Sequence, residues 1–488
     1  MKSKLMTVLC FLLLLLVIPA GVSAQENEAV ELSSLGLVKK IEGFQYCNWL
    51  FDGNVQGGQM LPPNSSVYLE SEEGMGSCYL IHKQTPVAEY TLVNEETGES
   101  KVCGTQGFLH EYVDLTELFG GPVRKLTLKF GEKPSVITEI RVFAPGEPPK
   151  DVQRWKMAPE EGVDLLIFPT HGDDVQLFFA GMLPYYAGEL GYEVQVAYAT
   201  DHANYGPDRP HEMLNGLWLS GVTNYPVFGQ YPDYMSDTPE VAMQGLVRVG
   251  YTEEDFLGYV VEQIRRFKPK VVVGHDLNGE YGHGMHKLYA KMVQQAVNVS
   301  NDPVISPESA EKYGTWDVPK AYLHLYPENQ ITVNWDIPLE HFDGMTAYEV
   351  TKKLGFPAHQ SQYSGFAWYM GPYERAADIP EMSPCSFGLI RTTVGPDVEK
   401  NDLFENVTSR AEDKLLEQQK QEEQAKQETT EPEQSETQPG ETETAAPQVI
   451  SQEEQLNQSF RNMIITLSSI FGVLVLVSLI IFFSKRKK

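Results

Sequence analysis

The chain has 488 residues, 42% of them hydrophobic, and its 38 Lys and Arg against 67 Asp and Glu give a formal net charge of −29. This length allows about three domains, and the composition is typical of folded proteins. The negative charge excludes nucleic acid as the main ligand and a polybasic membrane-surface protein, because both need a basic surface.

Residues 1–24 have the three-part layout of a secretory signal peptide. Lys2 and Lys4 precede an apolar run at residues 8–18, and small residues close the segment at 22–24. We predict cleavage before Gln25 and export of the chain. An uncleaved anchor helix is the alternative.

A β-sandwich is predicted for residues 30–148. Short runs in this region alternate apolar and polar residues and are separated by turn-rich stretches, as expected for half-buried strands. The runs are 66–69, 88–92, 125–130 and 138–143. The last run resembles the final strand of galactose-binding-like jelly rolls, which implies a sugar-binding role; a purely structural module is the alternative.

Four cysteines follow the expected cleavage point: Cys47, Cys78, Cys103 and Cys385. Export permits a disulfide, and Cys78–Cys103 is one candidate pair. Four cysteines allow three pairing schemes, and sequence does not choose among them. Buried free thiols are the other interpretation.

A proline-rich break at 144–149 precedes a different pattern. Buried strands are predicted at 163–168, 193–198 and 271–273, and helices at 175–189 and 253–267. Alternating strands and helices indicate an α/β domain with a Rossmann-like, mainly parallel sheet. We assign it residues 160–410.

The sequence of the C-terminal part of the chain is typical of a disordered tether followed by a transmembrane helix. Residues 411–460 are rich in Glu and Gln and are predicted to be disordered, although their first part can also form a charged helix. Residues 463–483 carry no charge and are long enough to cross a bilayer, and the basic tail 484–488 should stay cytoplasmic. We expect a single-pass membrane protein whose folded domains lie outside the cytoplasm.

Two polar clusters follow predicted strands of the α/β domain. Residues 170–174 follow the first strand, and residues 275–286 follow the strand at 271–273. Open α/β sheets bind ligands at the carboxyl ends of their strands. Two histidines and a carboxylate with one open position make a hydrolytic zinc site, so the clusters predict a metal site.

The clusters resemble the two motifs of the PIG-L/LmbE family of zinc-dependent de-N-acetylases. Residues 171–174 (His-Gly-Asp-Asp) are similar to its His-Pro-Asp-Asp-Glu motif. Residues 279–286 (Gly-Glu-Tyr-Gly-His-Gly-Met-His) are similar to its Gly-(Glu/Gly)-Tyr-Gly-His-Pro-Asp-His stretch, and 209–213 to its Arg-x-x-Glu-Leu segment. The resemblance covers residues 160–400.

The resemblance implies a zinc ion, an N-acetylated sugar substrate and a role for each site residue. The implied zinc ligands are His171, Asp174 and His286; the general base is Asp173; the oxyanion stabiliser and acid are His283 and Tyr281; and the substrate contact is Arg209. Asp233, a polar residue of the same domain that can line the cleft, is a further candidate substrate contact.

Several of these residues also have an ordinary structural interpretation. Asp174 can cap a helix, Arg209 can pair with Glu212, and Tyr281 can be a packing residue. The chain also departs from the family pattern at three positions. They are Gly172 for Pro, Val175 for Glu and Met285 for Asp. The ligands and the base remain, so an active enzyme is favoured.

These patterns predict a zinc-dependent N-deacetylase that releases acetate from an N-acetylated sugar of a surface glycan or glycoconjugate. The enzyme would be membrane-tethered, extracytoplasmic and bacterial. The first alternative is a non-catalytic surface protein for glycan binding or adhesion, with a degenerate hydrolase domain. The second is hydrolysis of a non-sugar N-acyl compound.

Overall fold

The computed structural model describes residues 28–34, 37–41, 47–201, 206 and 208–428. The predicted signal peptide, the tether beyond residue 428, the transmembrane segment and the basic tail lie outside these residues. Within the described part of the chain, no helix combines the length and the apolar character needed to cross a membrane.

The N-terminal region is a β-sandwich of two antiparallel sheets. One has the strand order β1-β3-β8-β5-β6 and the other β2-β9-β4-β7. Alternate residues such as Val67, Leu69 and Leu92 are buried in a core that both sheets share, as the predicted alternation requires. The strands are β1 (Val38–Ile41), β2 (Gln59–Leu61), β3 (Ser66–Met75), β4 (Ser77–His82), β5 (Tyr90–Asn94), β6 (Ser100–Cys103), β7 (His110–Asp114), β8 (Val123–Phe130) and β9 (Ser135–Phe143).

The sheet β2-β9-β4-β7 is buried on both faces. All six residues of β4 are buried. Cys78 and Leu80 face the sandwich core, whereas Tyr79 and Ile81 point the other way and form a small cluster with Val152. The outer face of β4 is therefore covered by apolar side chains that include Val152.

The predicted Cys78–Cys103 disulfide is absent, because the cysteines of the described residues are buried free thiols. Cys78 lies on β4 and Cys103 ends β6, which belong to opposite sheets. Burial, together with the nearby Cys103, raises the pKa of the Cys78 thiol well above its usual value, so the thiol keeps its proton. The alternative of buried free thiols is the one that the structure contains.

The second region is an α/β domain built on a sheet with the order β11-β10-β12-β13-β15-β14. Strands β11, β10, β12 and β13 are parallel, and β15 and β14 join as antiparallel strands. The predicted mainly parallel sheet is confirmed. Its strands are β10 (Leu165–Phe168), β11 (Val194–Val196), β12 (Val271–Gly274), β13 (Lys320–His324), β14 (Gln330–Thr332) and β15 (Ser386–Thr392).

Helices cover both faces of this sheet, which gives the domain two cores. Leu165 and Ile167 of β10 belong to one core, and Leu166 and Phe168 belong to the other. Such strands are continuously apolar because neither face meets water. The helices of the described chain are α1 (Leu115–Phe119), α2 (Asp174–Leu177), α3 (Arg209–Leu219), α4 (Pro239–Arg248), α5 (Glu253–Phe267), α6 (Gly284–Val299), α7 (Pro307–Tyr313), α8 (Ala347–Val350), α9 (Gln360–Met370) and α10 (Arg410–Glu428).

The predicted helix at 175–189 is wrong as a single element. The structure has the short helix α2 and, after a break, a π-helical segment at Pro184–Glu189. The break contains Gly181 with φ +90°, where a Cβ would lie 2.5 Å from the Trp335 ring. The positive φ and the close approach both require glycine, and a tertiary contact therefore interrupts the helix.

Residues 410–428 form α10, so the predicted disorder does not apply there. Ser409 and Glu412 hydrogen-bond each other reciprocally, each side chain accepting from the other's backbone N–H. This is a capping box, which satisfies free N–H groups at a helix start. The Lys270 ammonium also contacts Asp413, which holds the first turn against the domain.

Candidate metal centre and active site

The site forms at the carboxyl ends of the adjacent parallel strands β10 and β12. The loop after β10 carries His171 and Asp173 into α2, which begins at Asp174. The loop after β12 leads into α6, whose first turn contains His286. The strand register, Phe168 opposite Gly274, brings the two sequence clusters together.

Three predicted ligand atoms converge in this site. His171 Nδ1 lies 3.0 Å from His286 Nε2 and 3.3 Å from Asp174 Oδ2, and His286 Nε2 lies 3.2 Å from Asp174 Oδ2. Tetrahedral ligands at about 2.05 Å from a zinc ion are about 3.3 Å from one another. The triangle therefore has the size of one face of a zinc site.

The contacts of the outer ring nitrogens of His286 and His171 support the interpretation as a zinc site. His286 Nδ1 donates to Glu280 Oε2 at 2.8 Å, which leaves a lone pair on Nε2 of the neutral ring. His171 Nε2 lies 3.2 Å from Asp233 Oδ1, which favours a lone pair on Nδ1. Two ring nitrogens and a carboxylate oxygen then meet, and a proton or a metal ion between them offsets their mutual repulsion. The donor set fits a hydrolytic zinc site.

The electrostatics of the site favour positive charge. Burial raises the pKa of Asp174, but His286 and His171 outweigh it and hold the pKa well below its usual value. Burial lowers the pKa of His171, and Asp174 and Asp233 more than reverse this and raise it to about 9. A metal ion would take the place of these protons.

His275 lies beside this triangle and shares a possible metal-binding group with Asp174 and His286. Its Nε2 accepts a hydrogen bond from the Thr170 backbone N–H at 2.9 Å. This bond uses the Nε2 lone pair, and His275 therefore holds the loop after β10.

Asp173 is buried and forms an ion pair with Arg209. Arg209 Nη2 lies 2.6 Å from Asp173 Oδ1, and Nη1 lies 3.3 Å from both Glu212 Oε2 and Ser361 Oγ. Burial raises the pKa of Asp173 and outweighs the effect of Arg209. A carboxylate with a raised pKa suits a general base. Arg209 thus contacts both Asp173 and Glu212, and its predicted substrate contact stays a prediction.

His283 and Asp233 lie against the ligand triangle. The His283 ring centroid is 5.1 Å from that of His171, and its Nε2 is 3.9 Å from Asp233 Oδ1 and 3.2 Å from Met235 Sδ. Burial, with the nearby His171 and His286, lowers the pKa of His283 to about 4. The ring is therefore neutral near pH 7.

Tyr281 forms the accessible edge of the site. It is 42% exposed, and its ring centroid is 5.2 Å from His286 and 5.7 Å from His283. Burial of its hydroxyl and the surrounding carboxylates, led by Asp174, raise its pKa. The structure thus places every predicted site residue in one connected cluster.

Sequence reasoning assigned no role to Glu280, which is central to the cluster. Its carboxylate is fully buried and lies within hydrogen-bonding distance of His275, His286 and His324. The sequence signal for Glu280 was its position inside the second motif, between Gly279 and Tyr281. The motif tolerates Gly at this position, which hid its role.

Comparison with known proteins identifies the family. Residues 165–297 match the family described as PIG-L: GlcNAc-PI de-N-acetylase. A 1D-myo-inositol 2-acetamido-2-deoxy-alpha-D-glucopyranoside deacetylase of Mycolicibacterium smegmatis is 30% identical over 209 residues, or 38% of this chain and 68% of that protein. The chain therefore belongs to the PIG-L family.

Two other curated relatives are covered over less of their length, and a solved structure is similar in fold. A deacetylase of the same name from Streptomyces scabiei is 26% identical over 208 residues, 38% of this chain and 60% of that protein. The chain spans 32% of the corresponding deacetylase 1 of Catenulispora acidiphila. The solved structure of N,N'-diacetylchitobiose deacetylase from Pyrococcus horikoshii has a TM-score of 0.33 at 16% identity and covers 47% of this chain and 85% of that one.

Proposed function

We propose that the protein is a zinc-dependent N-deacetylase that removes the acetyl group from an N-acetylated sugar of a glycan or glycoconjugate. The observation that carries this proposal is the meeting of His171 Nδ1, His286 Nε2 and Asp174 Oδ2 within 3.3 Å of one another, beside the buried acid Asp173. Membership of the PIG-L family supports the reaction class.

His171, Asp174 and His286 would hold the ion, which when bound supplies Lewis acidity and a lowered pKa of water. Asp173 would accept the proton of the attacking water, with Arg209 fixing the orientation of its carboxylate. Water attack on the acetamide carbon and cleavage of the C–N bond give acetate and a free amine. Asp173 can return the proton to the leaving nitrogen.

His283 and Tyr281 would act on the developing oxyanion. The lowered pKa of His283 keeps its ring neutral, and a neutral ring offers one N–H donor. The raised pKa of Tyr281 keeps its hydroxyl proton in place at neutral pH. Preorganised donors aimed at the oxyanion contribute about 3–4 kcal/mol each.

We also propose that the protein acts at the outer side of a bacterial membrane, held by residues 463–483. The sequence patterns of the two chain ends support this location: an apolar N-terminal run with small residues before Gln25, and an uncharged segment followed by a basic tail.

Metal analysis and acetate release test the proposal. The full chain should contain about one zinc ion and should release acetate from glycans that contain N-acetylglucosamine. Asp174→Ala should lose the metal and the activity, whereas Asp173→Asn should retain the metal and lose activity by about 10²–10⁴-fold. Glu253→Gln, at an exposed helix start, is the control. A metal-free native chain, or full activity in Asp173→Asn, would overturn the proposal.

A further inference from the structure

A cavity of about 740 Å³ lies between the β-sandwich and the α/β domain. Its floor is the outer face of the sheet β2-β9-β4-β7, where Tyr79 pairs with Arg141 and Ile81 with Glu139 across β4 and β9. Its roof is α3. The volume falls within the range of about 300–1,000 Å³ typical of small-molecule sites.

The cavity has an excess of negative charge. Arg141 is the one Arg or Lys among the described lining residues, and it is already paired with Glu31 at 2.9 Å and Asp151 at 2.5 Å. Asp52 and Glu139 also line the cavity. The Lys39 ammonium lies over the ring of the lining residue Phe51 at 4.5 Å and interacts with Glu139, which leaves four carboxylates against two cations around the cavity. The cavity therefore favours a neutral or cationic ligand over an anion.

Glu139 is the deepest of these acids. It is 2% exposed, and its Oε2 accepts from the Gly53 N–H at 2.9 Å. Burial, together with the charges of Asp52 and Glu31, raises its pKa to about 7. A buried carboxylate is stabilised when a cation approaches it, so this position offers a site for an ammonium group.

An aromatic surface lies across the same cavity. The half-buried Trp218 of α3 lines it, and its indole N–H donates to the Lys150 carbonyl at 2.8 Å, which fixes the ring. The Trp155 ring packs edge-on against it at 5.6 Å. Tryptophan faces attract ammonium groups and carry large apolar area. An amino sugar fits both sides of the cavity, because its cationic amine can face Glu139 and its apolar C–H groups can pack on the Trp218 ring.

The cavity is connected to the proposed active site through α3. Arg209 at the start of α3 contacts Asp173, and Asn215 and Trp218 in the cavity lie six and nine residues further along. At about 1.5 Å per residue these distances are about 9 and 14 Å. Gln360 lines the cavity, and the next residue contacts Arg209.

We propose that this cavity binds an amine-bearing sugar residue of the glycan, while an acetylated residue of the same chain occupies the active site. The inference rests on the proposed deacetylase function, whose product is such an amine. Glu139 and Asp52 would face the ammonium group, and Trp218 would contact the sugar ring. The enzyme would then favour partly deacetylated chains.

Binding without turnover tests this proposal. The full chain carrying Asp173→Asn is titrated at pH 7 with the β-1,4-linked tetramer of glucosamine and with that of N-acetylglucosamine. The amine tetramer should bind at least about tenfold more tightly to this site. Glu139→Gln, which keeps the acceptor for Gly53, should weaken its binding about tenfold, and Trp218→Ala should also weaken it. Glu253→Gln is the matched acidic control.

Each result decides the proposal. Tighter binding of the amine tetramer that is lost in Glu139→Gln but retained in Glu253→Gln supports it. Equal affinities for the two tetramers, or amine binding that Glu139→Gln leaves unchanged, overturns it. The readout needs no acetate release, so a failure of the deacetylase proposal is recognised separately, by the absence of activity in the native chain.

Discussion

Glu280 orients a proposed metal ligand without being one. Its Oε2 accepts from His286 Nδ1 at 2.8 Å, and its Oε1 lies 2.9 Å from His275 Nδ1 and 3.1 Å from His324 Nδ1. Burial raises the pKa of this carboxyl, but the three histidines outweigh it and hold the pKa well below its usual value. The charged carboxylate thereby fixes the lone pair of His286 Nε2 toward the site.

Glu280→Gln should weaken zinc binding about 10- to 100-fold and lower activity with it, because the amide removes the charge and one acceptor. Chelator competition with the purified full chain measures the affinity. Glu253→Gln should leave it unchanged. Unaltered zinc affinity in Glu280→Gln would show that His286 is oriented by other contacts.

At the scale of elements, β7 and α3 meet through the buried His110 and the half-buried His211. Tyr79 Oη lies 2.6 Å from His110 Nδ1, His110 Nε2 lies 2.7 Å from His211 Nδ1, and His211 Nε2 lies 3.1 Å from the Lys83 carbonyl. All these bonds form when both rings are neutral: Tyr79 donates to His110, His110 to His211, and His211 to Lys83. The contact needs no charged histidine.

The contribution of this contact to the free energy of unfolding should therefore decrease in acid. Burial, with the neighbouring His211 and His82, holds the pKa of His110 well below its usual value, and burial also lowers that of His211. The folded chain binds fewer protons than the unfolded chain below about pH 6.5, so this contribution is full above that pH and is lost below it. The slope is about 1.4 kcal/mol per pH unit for each histidine.

Denaturant unfolding at pH 7.5 and pH 5 measures this effect. His110→Gln should reduce the difference between the two pH values, because it removes one of the titrating groups. His341→Gln is the control, since His341 is exposed. An unchanged pH dependence in His110→Gln would place the titration elsewhere.

The elements differ in how far local sequence predicts them. Helix α5 has the predicted bounds of Glu253–Phe267, because both the 3.6-residue period and the Thr252–Asp255 capping box are local signals. The helix broken at Gly181 and the outer-face burial of β4 were missed. Both depend on partners distant in sequence, Trp335 for the first and Val152 for the second.

The candidate site was more predictable than the fold around it. Strand ends and short motifs are contiguous, so the two polar clusters could be found from sequence, and the family resemblance implied His171, Asp174 and His286 as ligands. The ion pair of Arg209 with Asp173, the contact of Met235 with His283 and the role of Glu280 needed the packed structure, because nothing local reports which way a loop side chain turns.

At the scale of the whole molecule, the described domains share a core. Phe108 and Leu109 of the sandwich belong to the apolar core of the α/β domain. The Phe108 ring lies 4.5 Å from the Tyr225 ring, and the Leu109 N–H donates to Tyr225 Oη at 3.0 Å. The segment before β7 is thus packed into the α/β domain.

We expect zinc to stabilise this molecule, since the ligands converge only in the folded chain. Zinc at 100 times its Kd should increase the free energy of unfolding by about 2.7 kcal/mol over the metal-free protein. Denaturant titration with and without zinc measures the change. Asp174→Ala should show no such increase, and an equal increase in that variant would place the stabilising ion at another site.

The packing of Phe108 and Leu109 into the α/β domain limits where the chain can be cut into separate domains. The proline-rich stretch at 144–149 marks a boundary along the chain. An α/β domain produced without the residues before it would expose the side chains of Tyr225 and Trp155. Exposed aromatic patches of this kind promote aggregation. The sandwich is therefore part of the packing of the α/β domain and not a detachable module, and the α/β domain produced alone should be poorly soluble.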